Sequence, residues 1–209
     1  MSVLIRIMVW IAVIGGAIGA IIYYAFADVW VVPSDDPQQM VSIQPTIAAG
    51  DVLLVKRHGT NLPGNLLRCV DPDEPRRFVV GRLAVTGGKV HIAGQQFSTA
   101  GSRPAGSGGC GTRRLVNPAD GNEVELGCRE EDFAGTEYNV LMKLDDQQGA
   151  PQDLTAPPGK NFLISDNRYM HLDSRDYGAV NDATCQQLIF RLWGAEGFTQ
   201  ASRRFNLIW

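Results

Sequence analysis

"PPGKNFLISDNRYMHLDSRDYGAV", residues 157 to 180, sets the fold and poses the functional question together. Pro157-Pro158-Gly159 reads as a turn, and "KNFLISD" reads as a short apolar strand closed by Asp and Asn. Directly after it Asp166, Asn167, Arg168, Asp173 and Arg175 surround His171. Charges so close to a core strand need partners, because a charge taken out of water without one is costly.

Outward from this stretch the same texture repeats. "DVLLVKR", "NLLRCV", "RFVVGRLAVTGGKVHIAG", "YNVLMKL" and "QQLIFRLWG" are short apolar or alternating runs bounded by Gly, Pro, Asn or Asp. They predict a mainly β domain. "TAGSRPAGSGG", residues 99 to 109, and "DDQQGAPQDLTAPPG", residues 145 to 159, read as long loops. The 209 residues are 44% hydrophobic with 23 Gly and 11 Pro, which suits one loop-rich domain large enough to bury a core. The formal net charge is −3 without a basic block, which argues against a nucleic-acid partner.

The N-terminus bears on compartment. Ile7 to Ala27 carries no charge, and as a helix at ~1.5 Å per residue it is ~30 Å long, the depth of a bilayer core. Two readings fit: an uncleaved membrane anchor, or a signal peptide cut after Ala25-Phe26-Ala27. The apolar run exceeds the ~7–15 residues usual for a signal peptide, which favours the anchor. Residues 1–27 then form the anchor and residues 28–209 the exported domain, with Asp28 to Gln38 as a membrane-proximal segment. Arg6 before the helix and Asp28 after it place the N-terminus in the cytoplasm and the domain on the outer side. Tyr23, Tyr24 and Trp30 are interfacial candidates.

Four cysteines in an exported domain predict a disulfide. Cys110 and Cys128 bracket "GCGTRRLVNPADGNEVELGC" as the ends of a closed loop and are the favoured pair; Cys69 and Cys185 are either free thiols or a second bridge. No Cys and His spacing matches a zinc site. In "SIQPTIAAGDVLLV", residues 42 to 55, Pro45 stiffens the chain after Ser42 and can present that hydroxyl rigidly.

Taken together, the anchor, "SIQPTIAAGD", "RFVVGRLAVTGGKV" and "PPGKNFLISDNRYMHLDSRDYGAV" resemble, in order and spacing, the boxes of the type I signal peptidases. Those boxes usually read S-M-x-P-T-(L/I)…G-D, K-R-V-x-G-x-P-G-D and G-D-N-R-x-N-S-x-D-S-R-x-(W/Y)-G. The last is the specific one, matched by Asp166-Asn167-Arg168, Asp173-Ser174-Arg175 and Tyr177-Gly178. The resemblance implies a signal-peptidase-like domain of coiled antiparallel sheets on the outer membrane surface. It implies a serine endopeptidase that removes signal peptides from preproteins, with Ser42 as nucleophile and Ile43 and Pro45 along the substrate cleft. It further implies an Asp173–Arg175 ion pair and, with Asp166 and Arg168, a brace for the strand carrying the site. No cofactor or metal is implied; the partners are preprotein signal peptides and, through residues 7–27, the lipid bilayer.

The departures concern the base. The family's neutral lysine, which takes the proton from the serine, falls at Val80 or Gly81, and neither accepts a proton. Arg82 is no substitute, since its guanidinium stays charged. Lys56, Lys89, Lys143 and Lys160 all lie elsewhere. Met40 stands two before the nucleophile, where the family has Ser or Gly, and Thr86-Gly87-Gly88 replaces P-G-D. His171 occupies the place of the serine that touches the family lysine. Two readings follow: a peptidase with His171 as a displaced general base, or a silent homologue that binds preprotein or partner segments.

Overall fold

The computed structural model describes residues 3–99, 104–143 and 149–208. The first element is the helix α1 (Val3–Phe26). Its residues 3 to 20 are long and apolar enough to cross a membrane, and none of them is covered by the rest of the chain. Strand β1 (Ala27–Val31) begins directly after Phe26, so the first part of the proximal segment expected between anchor and domain, Asp28 to Val31, belongs to the sheet. The short helix α2 (Pro37–Ser42) follows; the Asp36 carboxylate accepts from the Gln39 N–H and Pro37 opens the first turn.

Strands β2 (Val52–Lys56), β3 (Leu66–Val70), β4 (Phe78–Ala93), β5 (Gln96–Thr99), β9 (Gln152–Ile164), β10 (Val180–Asn181), β11 (Gln186–Trp193) and β12 (Asn206–Leu207) join β1 in a nine-stranded sheet. Its order is β1-β2-β11-β3-β4-β9-β10, with β12 on β11 and β5 on β4. A second sheet of three strands is built from β6 (Ala105–Val116), β7 (Glu123–Phe133) and β8 (Thr136–Met142). All the strand pairings named here are antiparallel. The chain is thus mainly β with one long apolar N-terminal helix.

β4 ties the parts together, and its sequence shows why. Residues 79 to 84, "VVGRLA", are buried on both faces, so the run is unbroken rather than alternating. Val80 packs with Met40, Ile43 and Ile47 beneath α2, while Val79 and Leu83 pack on the opposite face with Leu67, Cys69 and Leu163. Farther along, Val90 and Ile92 alternate with exposed residues and meet Phe133, Tyr138 and Val140 of the small sheet.

Three local expectations are corrected. Residues 105 to 109 belong to β6, the outer strand of the small sheet, and not to a loop; residues 100–103 and 144–148 lie outside the described part. The loop ending in "PPG" is largely β9, and Pro157-Pro158-Gly159 forms a bulge in it opposite Gly87. Proline has no N–H for the ladder, so an interruption is where a strand accommodates it. Gly87, at φ 61, completes the bulge, because side chains other than glycine rarely adopt that left-handed backbone. Trp30 is packed into the domain edge-on to Phe78 and beneath the Arg68 guanidinium, so it is a half-buried core-rim residue rather than an interfacial anchor.

Both disulfides are formed. Cys110–Cys128 joins neighbouring strands β6 and β7, and Cys69–Cys185 joins β3 to the residue preceding β11. The alternative of free Cys69 and Cys185 thiols is excluded.

Candidate functional site

Ser42 is the last residue of α2, and it is wholly buried. Its hydroxyl donates to the Gln39 carbonyl at 2.8 Å and accepts from the Gln39 side-chain amide at 3.3 Å. The same amide nitrogen reaches the Val80 carbonyl at 3.3 Å. Gln39 therefore bridges the serine to the strand position where the family lysine is expected. An amide nitrogen donates hydrogen bonds but does not take up a proton near neutral pH. Gln39 was not singled out in the sequence, where it reads as one of two surface-like glutamines in "DDPQQM".

The two lysine positions are distinguished by side-chain direction. Val80 points into the core shared with Met40 and Ile43, so it faces α2. Gly81 faces the other way, where an added Cβ would fall 2.9 Å from the Leu163 Cβ, leaving no room for a side chain. Met40 is buried in the same core. Ile43, expected along the cleft, is a fully buried core residue and offers no surface to a substrate. Pro45 is half-buried and, with Thr46, Arg113, Asn139, Arg191 and Ser202, lines an open cleft of about 370 Å³.

His171 lies apart from the serine's bonding. Its Nδ1 pairs with the Asp176 carboxylate at 2.9 Å, and its carbonyl accepts from the Gln38 side chain at 3.1 Å. Asp176 is fixed because the same oxygen accepts from the Asp173 N–H in the capping box of α3 (Ser174–Tyr177). Asp176 thus orients the ring. Among the described residues no hydrogen bond joins His171 to Ser42. As a metal-binding group, His171, Asp173 and Asp176 have ligand atoms within 4.8 Å of one another, but both Asp173 oxygens are already committed.

The acidic and basic residues after β9 form three separate devices. Asp173 and Arg175 make a two-pronged pair at 2.9 and 2.7 Å, and Asp173 also accepts from the Ser165 N–H and hydroxyl. Asp166 pairs with Arg82 of β4 through two bonds of 2.8 Å, and the Thr46 hydroxyl donates to it as well. Arg168 pairs with Glu131 of β7 at 2.7 Å and lies over the Phe97 ring. Of these partners only Arg175 was foreseen. Arg82 had a readable signal, a lone charge inside the apolar run "VVGRLAV". Asn167 completes the brace: its N–H donates to the Ser42 carbonyl and its side-chain amide to the Val41 carbonyl, which clamps the end of α2 to the loop after β9. A fourth device, Asp51, is fully buried between the guanidiniums of Arg191 and Arg203.

Burial by itself would raise the Asp173 carboxyl pKa, but Arg175 and the Ser165 donors outweigh that effect and hold it at about 2. An unfolded aspartate titrates near ~3.9, so the folded value is depressed. The stabilisation, about 2–3 kcal/mol, is fully present above about pH 5 and is lost progressively as pH falls through ~2 to about pH 1. Denaturation of the full chain in detergent is expected to show a stability loss between about pH 5 and pH 1 that shrinks by this amount in Asp173→Asn. An unchanged loss would remove Asp173 as its source.

No protein-family model matches the chain, and no curated protein matches it.

Proposed function

We propose that the chain is a membrane-anchored, signal-peptidase-like protein that holds extended polypeptide segments without cutting them. The observation that carries this reading is the Gln39 bridge: the Ser42 hydroxyl is buried, bonded twice to Gln39, and without a proton acceptor strong enough to activate it. The four-box resemblance supports the signal-peptidase-like assignment, α1 supports the anchor, and Arg6 before it with Asp28 after it favours the outer side for the β domain. Within the described residues β1 pairs on one side only, with β2. Its other edge can accept a segment as an added strand, close in sequence to the anchor and so to any chain leaving the bilayer.

The rival is a peptidase in which His171 serves as base. It requires Ser42 to leave Gln39 and the His171 Nε2, which the Nδ1–Asp176 bond leaves open as an acceptor, to come within reach of the serine hydroxyl. The test is incubation of the detergent-solubilised full chain with a preprotein whose signal ends in Ala-x-Ala, beside Ser42→Ala. Binding without cleavage is expected, with both proteins alike. Cleavage that vanishes in Ser42→Ala overturns the binding reading, and its loss in His171→Ala would assign the base.

A further inference from the structure

The outer strand of the small sheet carries glycine where its own folding does not ask for it. Gly111, at φ 93, needs the left-handed region. Gly106, Gly108 and Gly109 do not: their backbone angles are open to any residue, and an added Cβ would meet no atom nearer than 3.9 Å. Glycine weakens a strand, and one of the things it marks there is a place where a ligand or a second backbone comes close.

These glycines line an open groove of about 620 Å³, and Cys128 of β7 lines it with them. The bond from Cys128 runs to Cys110, which the β6–β7 ladder leaves out of register together with Ser107. Such a bulge turns a side chain out of the pleat, and Cys110 is exposed. The other disulfide is protected in comparison, since Cys69 is fully buried against Leu67, Val79 and Leu163. Access decides which disulfide a thiol can attack. Among the described residues β6 pairs on one side only, with β7, so a free strand edge runs beside the exposed sulfur.

A free edge, a surface bare of side chains and an exposed disulfide suit one substrate together: a cysteine carried on an extended polypeptide. The edge supplies main-chain hydrogen bonds, and the glycines let the incoming backbone settle close to the sulfur. We propose that Cys110–Cys128 is a thiol-exchange site for cysteine-bearing polypeptide segments. The segment's thiolate attacks the Cys110 Sγ, a new S–S bond joins segment and Cys110, and the old bond breaks with its electron pair leaving on Cys128. Cys128 is buried with Leu126, Leu141 and Met170, which disfavours a thiolate, so it takes a proton from water and stays as the thiol. Its return attack on Cys110 restores the original bond and frees the segment. The site thus holds a segment covalently and reversibly, apart from Ser42 and from the β1 edge.

The test uses the full chain in detergent with a blocked pentapeptide, Ala-Val-Cys-Val-Ala, beside mercaptoethanol. Each exchange rate is divided by that of the same thiol on free cystine, which removes intrinsic reactivity. After acid quenching, peptide mapping without reduction is expected to find the pentapeptide on Cys110. Its normalised rate should exceed that of mercaptoethanol about tenfold, through the contacts that an added strand makes. Gly108→Val and Gly109→Val place side chains in the groove and should remove this advantage, whereas Val116→Ala, beyond the glycines, should keep it. Equal normalised rates in the native chain, or an advantage that survives both valine variants, overturn the proposal. So does a pentapeptide found on Cys69 or Cys185 in place of Cys110, and so does the absence of any mixed disulfide.

Discussion

Asp166→Ala is expected to destabilise the domain by about 3–5 kcal/mol, the cost of leaving a buried charge without its partner. Arg82 and Asp166 are each no more than 1% exposed. The guanidinium is held by two bonds to the carboxylate, by a third to the Gly64 carbonyl at 2.7 Å, and face to face with the Tyr138 ring at 3.7 Å. It cannot shed its proton, so removing the carboxylate strands a full charge in the core. Chemical denaturation in detergent measures the loss. The double variant Asp166→Ala with Arg82→Met should recover most of it, because the unpaired charge is then gone. As a control, Glu125→Ala removes the exposed partner of Arg114 and should cost less than about 1 kcal/mol. A loss that small for Asp166→Ala would mean that the pair is not what holds β4 to the loop after β9.

The second large effect is expected from the disulfides, and their order is the test. Cys69 and Cys185 are 116 residues apart, and Cys110 and Cys128 are 18 apart. Loop-closure entropy grows with the logarithm of the enclosed length, so replacing both members of the first pair by Ala should cost about 5 kcal/mol and of the second about 3 kcal/mol. The first pair also loses core packing, since Cys69 is fully buried against Leu67, Val79 and Leu163. The second pair loses a comparable contribution, since Cys128 is buried with Leu126, Leu141 and Met170, so loop length sets the expected order. Equal losses, or a larger one for Cys110 and Cys128, would contradict this account.

Much of the large sheet was legible because its strands are apolar on one or both faces. β2, β3, β4 and β11 fall within runs that the sequence marks as strands, and β8 overlaps one from Tyr138 onward. β7 escaped notice because "REEDF" places acidic residues along it, and β6 because six of its twelve residues are Gly, Ser or Ala, with too little side chain to show a period. The Asp173–Arg175 pair was readable, being two residues apart on one box. The other pairs were not, because Arg82 and Asp166 are 84 residues apart and Arg168 and Glu131 are 37 apart, and only folding brings them together. The serine's environment was the least legible part. That Ser42 faces inward follows from the three-residue return of Gln39 within α2 and from the Val80 carbonyl of β4, neither of which a motif records.

The Cys69–Cys185 bond makes a covalent ring of everything between those two residues, and the small sheet is one arc of it. A single backbone cut anywhere in that ring leaves one connected molecule, its two ends still joined through sulfur. A protease can therefore nick the chain between β3 and β11 without releasing a fragment, and both pieces stay joined to the N-terminal helix until a reductant arrives. On a non-reducing gel such a nicked chain runs as one species, and on a reducing gel as two.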